Sequence, residues 1–329
     1  MNKYNVIGLE EHLKRWLDVK RKVKAVYLTL LLLGFASAFA QISAPLSQEA
    51  RASLDRARSS AAEALQTYDT YRPDQPPFRE AVRYGREAAQ LAPGNPEPLR
   101  LLAEVYSVTN FYGPAFENWQ AYLEAGGTLS SNMRAQAVEV GTELAYERYT
   151  QGAKGAALRL YQAVIDLVPD DPEAYVWAGR ILLETDRPDQ AITYWQEVTA
   201  LKPGDASAEY FLGLAQERAR YGTEAVTAFR EGVRLYEAGD SRSAREQFAR
   251  ATSLNERYPA AWAYLGRTAF ETNNYTAAET FYQNASQLEP NNRTYRYFFE
   301  ESQRRQGEQV MEDEQETQSE QPFREESGN

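Results

Sequence analysis

PAAWAYLGRTAFETNNYTAAETFYQNASQLEPNN, residues 259–292, is the clearest unit of an internal repeat. Its fixed points are Trp262, Leu265 and Gly266 in a first helix, Ala278, Tyr282 and Ala285 in a second, and Pro290 behind it. Gly266, Ala278 and Pro290 stand 12 residues apart, and so do Gly179, Ala191 and Pro203. Ala145, Ala157 and Pro169 repeat the spacing with alanine for glycine; Asp69, Ala81 and Pro93 repeat it more weakly.

The second-helix alanines run Ala81, Ala115, Ala157, Ala191, Ala225, Ala244 and Ala278, at intervals of 34, 42, 34, 34, 19 and 34. Four residues after each stands Trp119, Tyr161, Trp195, Phe229, Phe248 or Tyr282; only Gly85, after Ala81, breaks the rule. Residues four apart share one helix face, so each aromatic sits over its alanine and fills the wedge between helices. A small residue in the first helix (Gly179, Gly213, Gly266) lets the neighbouring helix approach closely. Proline after the second helix ends it, because proline cannot continue a helix. Gly204-Asp205 and Gly239-Asp240 each supply a C-terminal glycine and a capping aspartate.

This pattern resembles the tetratricopeptide repeat: W-x2-L-G-x2-Y, then A-x3-F, then P, over 34 residues. Ala269 stands where the first-helix tyrosine is expected, with Phe270 beside it. The resemblance implies an all-α fold, a right-handed α-α superhelix (solenoid) of antiparallel helix pairs. The repeats fall at 62–95, 96–129, 138–171, 172–205, an irregular 206–258, and 259–292. The resemblance further implies a protein or peptide ligand held in a concave groove lined by first helices. Carried onto this chain, the groove positions are Tyr146, Tyr149, Arg180, Leu183, Tyr210, Tyr236, Arg267 and Phe270, with aromatics and arginine the types enriched in hot spots. The Lys/Asn/Arg clamp by which some members of the family grip a terminal carboxylate does not recur: Val176 with Arg180, or Ala263 with Arg267, stand there instead.

Two intervals depart from the period. The 42 leaves 8 extra residues near 126–137, read as a longer loop and a longer first helix beginning near Ser131. The 19 falls in 222–237, which reads both as a second helix through Ala225 and Phe229 and as a first helix through Gly232 and Tyr236. One helix then serves two roles, the helix count over 206–258 is odd, and the parity change bends the array or divides it into two blocks. Ser47 to about Thr70 is a single amphipathic segment whose first half, within 41–61, caps the array. Residues 293–306 read as a closing helix with a polar outer face. Residues 307–329 hold eight acids and one arginine, a composition that cannot bury a core and is expected to be disordered, as a solvating or interaction tail.

The first 40 residues differ. Lys20, Arg21, Lys22 and Lys24 precede an uncharged stretch from Ala25 to Phe39, and Ala38-Phe39-Ala40 follows, the order of a secretory signal peptide. Residues 1–19 are long and mixed in charge for such a signal, and Val19 is an alternative start. The apolar stretch is short for a spanning helix, so the chain meets a membrane only if this segment stays uncleaved. Cleavage after Ala40 removes seven basic and three acidic residues and the only histidine, so a net charge of −11 becomes −15. The expected location is the periplasm or cell envelope, or outside the cell.

With no cysteine anywhere and no histidine after residue 40, the commonest metal ligands and the commonest general base are missing. The negative charge opposes nucleic acid as a partner. No phosphate-binding glycine loop, zinc motif or nucleophile elbow occurs, and no catalytic residue, cofactor or metal is expected. Asp170, Asp171, Asp205 and Asp240 are carboxylate candidates for acid–base chemistry by residue type, but all sit in turns, where capping accounts for them. The reading is an exported protein-binding scaffold of an envelope assembly or export complex. A glycan-associated module is the alternative, and a carboxylate-dependent hydrolase a weaker one.

Overall fold

The structure is a computed structural model that describes residues 45–319. The signal-like segment at 1–40 and the last ten residues of the acidic tail lie outside the described residues. Fourteen α-helices, with no strand among the described residues, follow one another. They are α1 (Gln48–Thr67), α2 (Pro76–Leu91), α3 (Pro96–Val108), α4 (Tyr112–Glu124), α5 (Ser131–Thr150), α6 (Lys154–Leu167) and α7 (Pro172–Glu184). The second half comprises α8 (Pro188–Leu201), α9 (Ala206–Tyr221), α10 (Thr223–Glu237), α11 (Ser241–Leu254), α12 (Pro259–Glu271), α13 (Tyr275–Leu288) and α14 (Arg293–Ser319). The described residues divide into two compact units between Ala178 and Gly179, inside α7.

Turn chemistry sorts the helices into pairs. Five connections are three residues long, after α3, α5, α7, α10 and α12. Their middle residues Asn110, Gly152, Asp186, Gly239 and Asn273 all have φ between 55° and 84°, the left-handed conformation that glycine, asparagine and aspartate adopt most readily. Each turn also closes a backbone bond from its third residue to the helix before it, as from Asn274 N–H to the Ala269 carbonyl at 2.9 Å. Four-residue connections instead follow α2, α6, α8, α11 and α13, and the helices before them end at Leu91, Leu167, Leu201, Leu254 and Leu288. Four of these five helices stop two residues ahead of Pro93, Pro169, Pro203 or Pro290. The short left-handed turns therefore join partners within a pair, and the proline-bearing ones step to the next pair.

Packing closes each pair through a small residue facing an aromatic sixteen positions later. A Cβ on Gly179 would lie 2.7 Å from Trp195 Nε1, one on Gly266 2.7 Å from Tyr282 Cδ2, and one on Gly232 2.5 Å from Phe248 Cε1. Those rings are 0–3% exposed. The apolar residues accordingly form several small cores. In the first unit, Leu54, Phe78, Leu101 and Val105 gather in one, and Trp119, Tyr122 and Ala137 in another. In the second unit, Phe248 and Leu265 share one core while Tyr282 and Ala285 share the next.

Residues 206–258 contain three helices, α9, α10 and α11, so the count there is odd. The ambiguous helix takes its first-helix role: α10 packs on α11 with Gly232 against Phe248. α9 packs more extensively on α8 than on α10. Only Gly222, with φ 88°, separates α9 from α10. Gly213 was expected to receive a neighbouring helix, yet nothing lies within 4 Å of the Cβ it lacks. Its counterpart Phe229 turns instead to Tyr258, Tyr264 and Phe248, with ring centres 4.9, 5.4 and 5.8 Å away. The boundary between the two units does not fall at this irregularity but in α7.

At the N-terminal end α1 is one continuous helix across residue 61, where the expected cap and first repeat were to meet. Its buried face, Ala50, Leu54, Ala57, Ala61 and Ala64, packs on α2. The eight-residue connection that follows is fastened by Gln75, whose side chain accepts from Arg72 N–H at 2.9 Å and donates to the Thr70 carbonyl at 3.0 Å. The longer connection before α5 is held by the Tyr122 hydroxyl, which donates to the Thr128 carbonyl at 2.9 Å and accepts from its N–H at 3.2 Å. At the other end α14 does not stop near 306 but runs to Ser319. Residues 307–319 lack apolar side chains enough for a core, yet Glu, Gln and Met are good helix formers and no proline interrupts them. Phe298 stacks on Tyr282 at 5.2 Å, and Gln306 donates to Thr276 at 3.0 Å, fixing the first half of α14 on α13. Arg304 and Arg305 beside Glu301 hold that half-buried carboxyl down to about 2.

Candidate functional site

The first-helix positions fall into separate local groups. In the first unit, Tyr146 and Tyr149 lie one turn apart on α5 with ring centres 6.3 Å apart. Both meet Trp177 edge-on at 5.3 Å, and Trp177 stacks flat on the buried Tyr161 at 5.9 Å. Trp177 was not singled out from the sequence, although it stands one residue past the Val176 position compared with the clamp pattern.

In the second unit, Tyr210 on α9 is 54% exposed, and its hydroxyl accepts from Arg230 Nη1 at 2.9 Å. The Arg230 guanidinium lies 5.3 Å from the ring centre, within reach of a cation–π contact. The same arginine donates to one oxygen of Glu217, Oε2, through Nε at 3.0 Å and Nη2 at 2.7 Å, which fixes its plane. Glu217 also accepts from the Tyr258 hydroxyl at 2.6 Å. Burial and this bond to a carboxylate push the Tyr258 hydroxyl far above its ordinary range. Tyr221 stacks on Tyr258 at 4.3 Å, so the end of α9 is tied both to α10 and to the start of α12.

A second tyrosine–arginine pair follows. Arg267 on α12 lies 4.9 Å from the Tyr236 ring centre and donates to Glu271 at 3.0 Å, while the Tyr236 hydroxyl donates to the same carboxylate. Burial, then Glu271, raises the Tyr236 hydroxyl. The remaining groove positions behave differently. Leu183 is buried, and its carbonyl accepts from Arg218 Nη1 at 3.3 Å. Arg180 is half-buried on α7. Phe270 packs edge-on against Tyr275 and Phe298, at 5.3 and 5.7 Å, and belongs to the core under α14. The structure thus pairs Tyr146 with Tyr149 and Tyr236 with Arg267, and sets Leu183 and Phe270 to packing. The residues that complete the pairs, Arg230, Glu217 and Glu271, gave no sequence signal, because charged residues on exposed helix faces are common.

Three of the four carboxylate candidates serve as caps, and Asp170, expected to do the same, instead forms an ion pair. Asp205 accepts from the N–H groups of Ser207 and Ala208 at 2.9 and 3.1 Å, and Asp240 from that of Ser243 at 3.1 Å. Hydrogen bonds from Ser243 lower the Asp240 carboxyl. Asp171 accepts from Ala174 N–H at 3.2 Å, and Asp170 pairs with Arg134 at 2.6 Å. Among the described residues no group of three or more His, Cys, Asp or Glu is gathered where a metal could bind, and no helix is long and apolar enough to cross a membrane.

Residues 142–206, 178–236 and 229–292 match the tetratricopeptide repeat family. Tetratricopeptide repeats are therefore detected from 142 to 292. No curated protein matches the chain. Among solved structures it is similar to the MamA protein, at 17% identity over 56% of this chain and 97% of that one, with a TM-score of 0.25. It is similar also to YrrB, described as a TPR protein with an unusual peptide-binding site, at 16% identity over 66% and 97% of the two chains, TM-score 0.27. A tetratricopeptide repeat protein from Parabacteroides merdae shares 12% identity over 78% of this chain and all of its own, TM-score 0.32.

Proposed function

We propose that this protein is a non-catalytic scaffold that binds another protein through the first helices of its repeats. The reading rests on one observation above the rest: Tyr210 lies under Arg230 and Tyr236 under Arg267, each arginine locked by a carboxylate. Tyrosine and arginine held rigid before binding lose little conformational freedom on contact, which is how a few residues come to dominate an interface. Of the aspartates weighed for acid–base work, Asp171, Asp205 and Asp240 are occupied as caps and Asp170 by Arg134. A glycan platform would need neighbouring aromatic faces open to stack on sugars. Here the arginines sit over Tyr210 and Tyr236, while Tyr146 and Tyr149 turn to Trp177, so the protein-binding reading is preferred.

We place the scaffold in the cell envelope, in an assembly or export complex, on the strength of the basic, apolar and small-residue order of residues 20–40. The test is capture from an envelope extract with the full chain as bait, beside a Tyr210→Ser, Arg267→Ser variant shown by circular dichroism to be folded. A protein retained by the first bait and lost with the second, and bound again when purified, supports the reading. Identical protein lists from both baits overturn the placement of the binding face.

A further inference from the structure

One surface of the first unit is chemically unlike the rest of this acidic chain. Along α2, Arg79, Arg83 and Arg86 follow one another at four and three residues, which places them on one helix face. They line an open basin of about 610 Å³ whose other wall is Tyr106 from α3 and Phe111 from the α3–α4 turn, with Glu87 at its edge. Arg86 donates to the Tyr106 hydroxyl at 2.7 Å, which fixes its guanidinium against that wall. Phe111 packs on Tyr106 at 5.7 Å and remains 47% exposed.

Two features mark the basin as a site for anions. Among the described residues none of its three guanidiniums is ion-paired, whereas Arg100 in the same unit is held between Glu97 and Glu104. Unpaired arginines clustered in a concavity of a chain with net charge −11 leave positive potential focused where a ligand would enter. Their spread then limits the ligand. Seven residues of helix rise about 10 Å, so three guanidiniums set along α2 suit a ligand carrying several charges in a row. An extended peptide advances about 3.3 Å per residue, so acids at alternate positions lie about 6.6 Å apart, within side-chain reach of arginines that rise about 6 and 4.5 Å along α2. The exposed ring of Phe111 beside the charges offers an apolar seat of the kind a peptide side chain fills.

We propose that this basin binds a short, extended acidic segment of a partner protein, its alternate carboxylates held by Arg79, Arg83 and Arg86 and an intervening apolar side chain seated on Phe111. The site lies between the second helix α2 and the α3 side of the next pair, and none of the eight groove positions named above lines it. The proposal rests on the reading of the chain as a protein-binding scaffold, and adds a second surface of opposite character to it.

The test is fluorescence anisotropy of the full chain with the labelled peptide Gly-Glu-Phe-Glu-Leu-Glu-Gly, and with the same peptide carrying glutamine for every glutamate. The acidic peptide is expected to bind and the glutamine peptide not to. Arg79→Gln with Arg83→Gln is expected to weaken binding about tenfold or more, as loss of two charge-assisted bonds should. Arg245→Gln with Arg250→Gln, which removes the same charge from the exposed face of α11, is expected to leave it unchanged. Phe111→Ser, which leaves every arginine in place, is expected to weaken it severalfold. The proposal is overturned if the acidic peptide fails to bind, if both double variants weaken binding equally, or if inorganic phosphate displaces the peptide more strongly than sodium chloride of equal ionic strength. Because the basin shares no residue with the capture variant, a failure here leaves the first-helix reading standing, and a failure there leaves this one.

Discussion

Gly266 and Gly213 each stand on a first helix sixteen residues ahead of an aromatic, yet only Gly266 touches its counterpart. Between α12 and α13 the chain turns through three residues with Asn273 left-handed, and the helices fold back until the Tyr282 ring lies against the bare Cα of Gly266. After α9 no such turn forms. The left-handed middle residues of the three-residue turns run 110, 152, 186, 239 and 273, and one period beyond Asp186 the chain carries Arg220, a good helix former ill-suited to positive φ. The helix continues through it to Tyr221, and the single residue Gly222 cannot bring α10 back along α9 as Asn273 brings α13 along α12. α10 instead becomes a first helix for α11. A wedge motif is therefore permissive, and the turn decides whether it closes.

That contrast is most sharply tested at Phe248. If α10 is the first helix of α11, the ring that fills its wedge is Phe248, wholly buried against Gly232, while Phe229 remains partly accessible. Phe248→Ala should cost about 3–5 kcal/mol, and Phe229→Ala clearly less. Repeat arrays unfold in parts, so the readout should be hydrogen exchange resolved over α10, α11 and α12 rather than one global midpoint. A larger loss of protection from Phe229→Ala would restore α10 to the second-helix role and break the comparison.

A smaller effect is expected at Gly266. Alanine favours a helix interior by about 1 kcal/mol over glycine, but here its methyl would lie within 3 Å of a ring that is 3% exposed. Overpacking of that kind costs about 1–3 kcal/mol, so Gly266→Ala should destabilise α12 and α13 by up to about 2 kcal/mol net, seen as a lower urea midpoint for this end of the chain. An unchanged or raised midpoint would mean that the close approach does not constrain the pair.

Much of this architecture was legible in the residues. The alanine–aromatic spacing located the second helices, Pro93, Pro169, Pro203 and Pro290 marked where they end, and Gly204-Asp205 and Gly239-Asp240 form the turns and caps read from them. The interval of 19 exposed the odd helix. What stayed hidden was the choice between its two roles, since Ala225 with Phe229 and Gly232 with Tyr236 fit the pattern equally; the deciding residue, Arg220, is noticed only when the turns are aligned. The candidate site was legible in part. Tyr236 and Arg267 meet, but from 31 residues apart in sequence. Phe270 looked like a groove aromatic because Ala269 holds the neighbouring position, and only the course of α14 shows what covers it. The helix through 307–319 was missed because low apolar content rules out a core, which is a different requirement from helix propensity.

The smallest effect expected, and the only stabilising one, is at Gly213. The position is exposed in the middle of α9 with no atom near the missing Cβ, and its φ is not positive. Alanine there meets no ring, so the only consequences are the better helix propensity and the reduced freedom of the unfolded chain, together about 0.5–1 kcal/mol. Gly213→Ala should therefore raise the urea midpoint and strengthen exchange protection along α9, opposite in sign to Gly266→Ala. The two substitutions are chemically identical and occupy the same place in the repeat, so a shared sign would show that α9 closes on a partner after all, and opposite signs would show that the turn at 220–222, rather than the glycine, separates a paired helix from an unpaired one.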